Sequence, residues 1–152
     1  MPSLDDLLPH VAAHAVLGHQ RGVTVQSVTM MAGAGPDDWA GVVEPEGSDG
    51  MTRAVVALAG PAMDALRAGG SEAAKVSDWD ADRLKALRAV SGDTALLAQA
   101  EGAAGEEVAG SRSRIERLAE ALRAHVGDAG TDLLGRCRLE GADLAKALAA
   151  GG

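Results

Sequence analysis

Between residues 3 and 20, Leu4, Leu7, Leu8, Val11, Ala15 and Leu17 recur mostly at helical spacing, which predicts an opening helix. Ser3, followed by Asp5 and Asp6, marks its start, since a hydroxyl caps free N–H groups and acids favour the positive end. Pro9 interrupts the pattern and either kinks the helix or begins a second one; Gly18 or Gly22 can end it. The stretch VTVQSVTMM (23–31) is β-branched and roughly alternating, so it reads as a strand. WAGVVEP (39–45) reads as a second strand, paired to the first as a hairpin across the loop 32–38. Ser48 or Asp49 can cap the next helix, 51–70. Its apolar residues wrap more than one face, which predicts a central position, and Pro61 predicts a kink. A further helix is expected over 77–90, with Ser77 as its cap and Asp80 three residues on. After a break at 91–93, with Asp93 able to cap, residues 94–126 are helix-forming, with Gly102, Gly105 and Gly110 as possible interruptions. A last helix begins near Ala142. The fold class is mainly α with a small β-hairpin, in one domain over residues 1–152. Residues 1–90 make the first part, and 91–152 a helical second part.

Composition narrows how such a chain packs. Phe and Tyr are absent and Trp39 and Trp79 are the only aromatics, so Ala, Leu and Val must fill the interior. Small side chains favour closely approaching helices over a sheet sandwich. The net charge is −8 over 152 residues. Residues 1–50 carry seven acids against Arg21 alone, a local balance of −6. Such a surface repels phosphate backbones, so nucleic acid is not an expected partner. No run approaches the roughly 20 apolar residues of a membrane span, and no basic segment precedes an apolar stretch at the N-terminus, so a cytoplasmic location is the default. Cys137, the sole cysteine, excludes a C-x-x-C pair. It reads as a small buried hydrophobe on a helix. His125, twelve residues earlier, has no helical register to it.

The chemistry concentrates in HVAAHAVLGH (10–19). Residues four apart on a helix lie about 40° apart in azimuth and one turn apart in height. His10 and His14 can therefore reach one ion, the logic of a zinc-peptidase helix. His19 falls about 180° from His10 and does not join them. In such a helix the residue after the first histidine is a glutamate that activates water; here it is Val11.

With that helix, three further segments follow in one order. HVAAHAV resembles the H-E-A-G-H-A-V helix of the FtsH-type zinc peptidase domain, and SVTMMAG is similar to the strand after it. VVALAGPAMDAL resembles that family's apolar LAGRAAEEL helix, and KVSDWDADRLKAL its SNDIERAT segment, whose Asp is the third ligand. The matches span roughly residues 4–90, and LLGRCRLEGADL resembles the end of small relatives without the ATPase module. The resemblance implies Zn2+ held by His10, His14 and Asp78, with Asp64 as an acid behind the ligands. Asp78 also reads as a helix-start acid, and Asp80 and Asp82 as a solvated face.

Val11 can neither take a proton from water nor hand it to a leaving amine, so ordinary peptide hydrolysis is not expected. A general base contributes about 10²–10⁴ in rate. Two functions fit this pattern. One is a Lewis-acid lyase, cyclase or hydrolase acting on a small or peptide-like substrate, with Glu44 or Asp64 as proton-transfer groups. The other is an inactive pseudopeptidase whose groove binds a peptide or partner protein. If residues 39–43 form an edge strand beside the site, Asp37, Asp38, Glu44 and Glu46 would favour a cationic ligand.

Overall fold

The computed structural model describes residues 3–33, 35, 39–46, 49–69 and 79–149. They form six helices and three strands: α1 Leu4–Gln20, β1 Thr24–Ala32, β2 Trp39–Glu46, α2 Gly50–Arg67, α3 Trp79–Ala89, α4 Thr94–Gly110, α5 Arg112–Ala129, β3 Arg136–Glu140 and α6 Gly141–Ala149. Ser3 caps α1 by accepting the Asp6 N–H at 3.2 Å. Pro9 neither breaks the helix nor starts a new one, because α1 runs unbroken through it. Its lost hydrogen bond is offset by burial on most sides, from Leu7 and Leu8 through Ala12, Ala13 and Ala15 to Leu17.

Asp49 is the residue that caps α2, accepting the Thr52 N–H at 2.7 Å. The helix is central as its pattern predicts, packing against α1, α3 and α4, and it too continues through its proline, Pro61. Asp93 caps α4 with bonds from the Ala95 and Leu96 N–H groups. Gly102 and Gly105 lie within an unbroken α4; the chain breaks only after Gly110, where the Ser111 N–H bonds back to the Val108 carbonyl. Leu97, Ala100, Ala104 and Val108 turn one face of α4 inward, and Ile115, Leu118, Ala119 and Leu122 do the same for α5. Of the helix expected over 77–90, Ser77 lies outside the described residues, and α3 is described from Trp79.

The sheet departs from a simple hairpin. β1 pairs antiparallel with β2, with an irregularity between Val25 and Ser27, and its other edge is taken by β3, giving the order β2-β1-β3. In β3 the side chains alternate, with Cys137 and Leu139 buried between exposed Arg136, Arg138 and Glu140. Cys137 is therefore buried as expected, but on a strand and not on a helix. No described helix is long and apolar enough to cross a membrane.

Candidate metal centre

His10 and His14 project from α1 toward α2, and each ring is held from behind. The Nδ1 of His10 lies 2.6 Å from Asp64 Oδ2, and the Nδ1 of His14 lies 2.7 Å from the Val56 carbonyl oxygen. A carboxylate and a carbonyl only accept, so each Nδ1 carries a proton and donates it. In the neutral rings both Nε2 lone pairs then point away from α2's acceptors, into a common centre.

The third group at that centre is Asp82, from the first turn of α3. Its Oδ2 lies 3.0 Å from His10 Nε2 and 3.3 Å from His14 Nε2, while the two Nε2 atoms are 3.2 Å apart. Three ligand atoms thus form a nearly equilateral triangle, and His10, His14 and Asp82 could hold one metal ion. An ion bonded at about 2.0–2.1 Å has ligand–ligand edges of about 3.0 Å on an octahedral face and about 3.3 Å on a tetrahedral one. The observed edges fall within that span. The space before the two rings is kept open by α2: a Cβ on Gly60 would collide with the Nε2 atoms of both histidines.

Without a cation between them, two lone pairs and a carboxylate repel, and a proton is the smallest remedy. Burial disfavours charge on His10, but the hydrogen bonds and charges of Asp64 and Asp82 outweigh it and raise the imidazole to about 9. Burial likewise opposes ionisation of Asp82, yet bonds from His10 and His14 hold its carboxyl far below the ordinary range. A metal ion could take the place of the His10 proton at this centre.

The residues predicted from sequence fall unequally. His10 and His14 come together as their spacing requires, and His19 is exposed on the far side. Asp64 is wholly buried, against His10. Asp78 lies outside the described residues. Asp82, expected on a solvated face, is instead buried at 8% exposure and aimed at both histidines. A signal for it exists: Asp82, Ala86 and Val90 recur every four residues and are the buried positions along α3 and the turn that follows it. The leucine that competes for the inward face, Leu84, is 46% exposed. Glu44 belongs to β2 opposite Ser27, and its side chain lies outside the described part. Val11 is 1% exposed and packs so closely on Gly41 of β2 that a Cβ there would strike it. Where a zinc peptidase has its base, this chain has an apolar contact joining α1 to the sheet.

His14 and Asp82 also border a pocket of about 460 Å³ between β2, α2 and α3. Gly41 and Val43 of β2 form one wall, and Val56 and Ala57 of α2 another. The exposed Arg53, Lys85 and Arg88 stand at its rim. Comparison with protein-family models, curated proteins and solved structures returns no match to this chain.

Proposed function

We propose that the protein is a metal-dependent Lewis-acid enzyme, or a derivative of one, with the ion held by His10, His14 and Asp82 at the floor of the pocket. The observation that carries this reading is the convergence of three ligand atoms within 3.3 Å, with both histidines fixed from behind. Partners at the far nitrogen orient metal-bound imidazoles and raise their basicity. Two imidazoles and one carboxylate suit Zn2+, with a position left open for water or substrate. Non-haem iron uses the same donors, so element analysis names the ion. When bound, the ion would polarise a carbonyl or acidify water. The chain supplies the rest: Asp64 and Val56 hold the rings, Gly60 leaves room, and the pocket beside His14 receives the ligand. With Val11 in place of the base, the reaction is a lyase, cyclisation or activated-bond hydrolysis and not peptide cleavage.

The test is metal content of the purified protein, wild type against His10→Ala, His14→Ala, Asp82→Ala and Asp78→Ala. A stoichiometric ion lost in the first three variants supports the reading, and an ion lost only with Asp78→Ala moves the third ligand there. Wild type without metal, even after incubation with Zn2+ or Fe2+, defeats it.

A second reading, binding without turnover, is favoured by the place of β2. It is an edge strand of the sheet, and its Gly41 and Val43 face the pocket. An extended peptide could pair with that edge and lie across the site.

A further inference from the structure

The charges around the pocket are not those of the molecule as a whole. The chain carries a net charge of −8, yet Arg53 of α2 and Lys85 and Arg88 of α3 gather at one opening. Seven arginines elsewhere among the described residues are matched by carboxylates, Arg21 by Glu107, Arg83 by Glu101 and Arg123 by Asp5 among them. Among the described residues no carboxylate forms a contact ion pair with Arg53, Lys85 or Arg88, although the charge of Asp49, at the start of α2, is felt at Arg53. Among the described residues of the lining the one acid is Asp82, which is already engaged by His10 and His14.

The placement is ordered along α3. Asp82, Lys85 and Arg88 are successive i,i+3 positions on one side of the helix, about 4.5 Å and 9 Å apart along its axis. The face that starts at the metal centre therefore ends in two cations, and Arg53 adds a third from the neighbouring helix. Val23, Val43 and Val56 also line the pocket. Cations in a concavity with apolar walls focus a positive potential on whatever enters.

We infer that the pocket binds an anionic small molecule, with its carboxylate or phosphate group at Arg53, Lys85 and Arg88 and an apolar stem along the valines toward the histidines. This assigns a substrate class to the site proposed above and rests on that reading only for what happens at the inner end. It runs opposite to the cationic ligand expected from Asp37, Asp38, Glu44 and Glu46, whose side chains lie outside the described part.

The experiment is calorimetric titration of full-length protein, chelator-treated and Zn2+-loaded, with octanoate, octyl phosphate and octylammonium. Both anions, or one of them, are expected to bind either form, octylammonium to bind neither, and added NaCl to weaken binding. The anion that binds more tightly names the head group. Replacing Arg53, Lys85 and Arg88 together by Gln is expected to weaken binding about tenfold or more, as loss of several charge-assisted contacts requires. All three side chains are exposed, so the helices should survive, and circular dichroism checks that. Arg117→Gln, an exposed cation on α5, controls for net charge and should change affinity less than about twofold. Three results overturn the inference: octylammonium binding as tightly as the anions, no anion binding to either form, or binding that needs Zn2+ and ignores the triple variant. The last would put the anion on the ion, leaving the metal reading intact. Anion binding by a protein that never holds metal would do the reverse.

Discussion

His10 carries two opposed demands. Burial favours the neutral ring, and two carboxylates favour the charged one. In the metal-free protein the carboxylates prevail, so the folded state holds a proton more firmly than the unfolded chain does. The stability this contributes is fully present below the unfolded value near 6.5 and is lost as pH rises through about 9. Urea midpoints of chelator-treated protein should therefore fall between pH 6.5 and 9, and His10→Gln should flatten that fall. A metal ion that replaces the proton reverses the trend, because affinity grows as His10 deprotonates. Asp64 acts one residue further back. Asp64→Asn keeps the volume but removes the carboxylate behind His10, and metal affinity should drop about 10–100-fold in competition with a chelating dye. An unchanged affinity would mean that Asp64 serves the fold alone.

At the scale of elements, the close approach of α1 to α2 is the decisive contact. Replacing a mid-helix glycine by alanine usually stabilises by about 0.5–1 kcal/mol. Gly60→Ala should do the opposite, since the new Cβ meets both imidazoles, and it should abolish metal binding. Gly102→Ala in α4, where nothing lies within 4 Å of an added Cβ, should show the ordinary gain. A melting-temperature difference of opposite sign between these two variants is the check. Elements also show where sequence reading runs short. The five residues of β3 show the period-2 alternation of a strand, RCRLE, but a short amphipathic strand needs a partner edge before it outweighs other readings. Nothing local says that β1 offers one, more than a hundred residues earlier. The same holds for Pro9, which is unfavourable to a helix in isolation and tolerated in one buried on most sides.

The whole molecule is tied together at the proposed centre, because α1 and α3 lie some 70 residues apart in sequence and Asp64 of α2 stands behind them. An ion bound only by the folded state stabilises it by about 2.7 kcal/mol at a hundred times its Kd. Chelation should therefore lower the melting temperature of the entire protein in a single transition, and the melting temperature of Asp82→Ala should not respond to added metal. Separate transitions for the two halves of the chain would count against one cooperative domain.

The pair His10 and His14, the caps Ser3, Asp49 and Asp93, the hairpin strands and the mainly helical architecture are all legible in the chain, because each depends on neighbours within a few residues. Val11, beside His10 where a zinc-peptidase helix carries glutamate, is equally legible. The tertiary structure alone decided that Asp82 faces the histidines, that Gly60 leaves the space before them, and that Val11 is spent on a contact with Gly41. These are matters of azimuth and approach between elements far apart in sequence. Local propensity fixes a helix but not which of its faces meets another, and a carboxylate on α3 becomes a candidate ligand only when packing turns it inward.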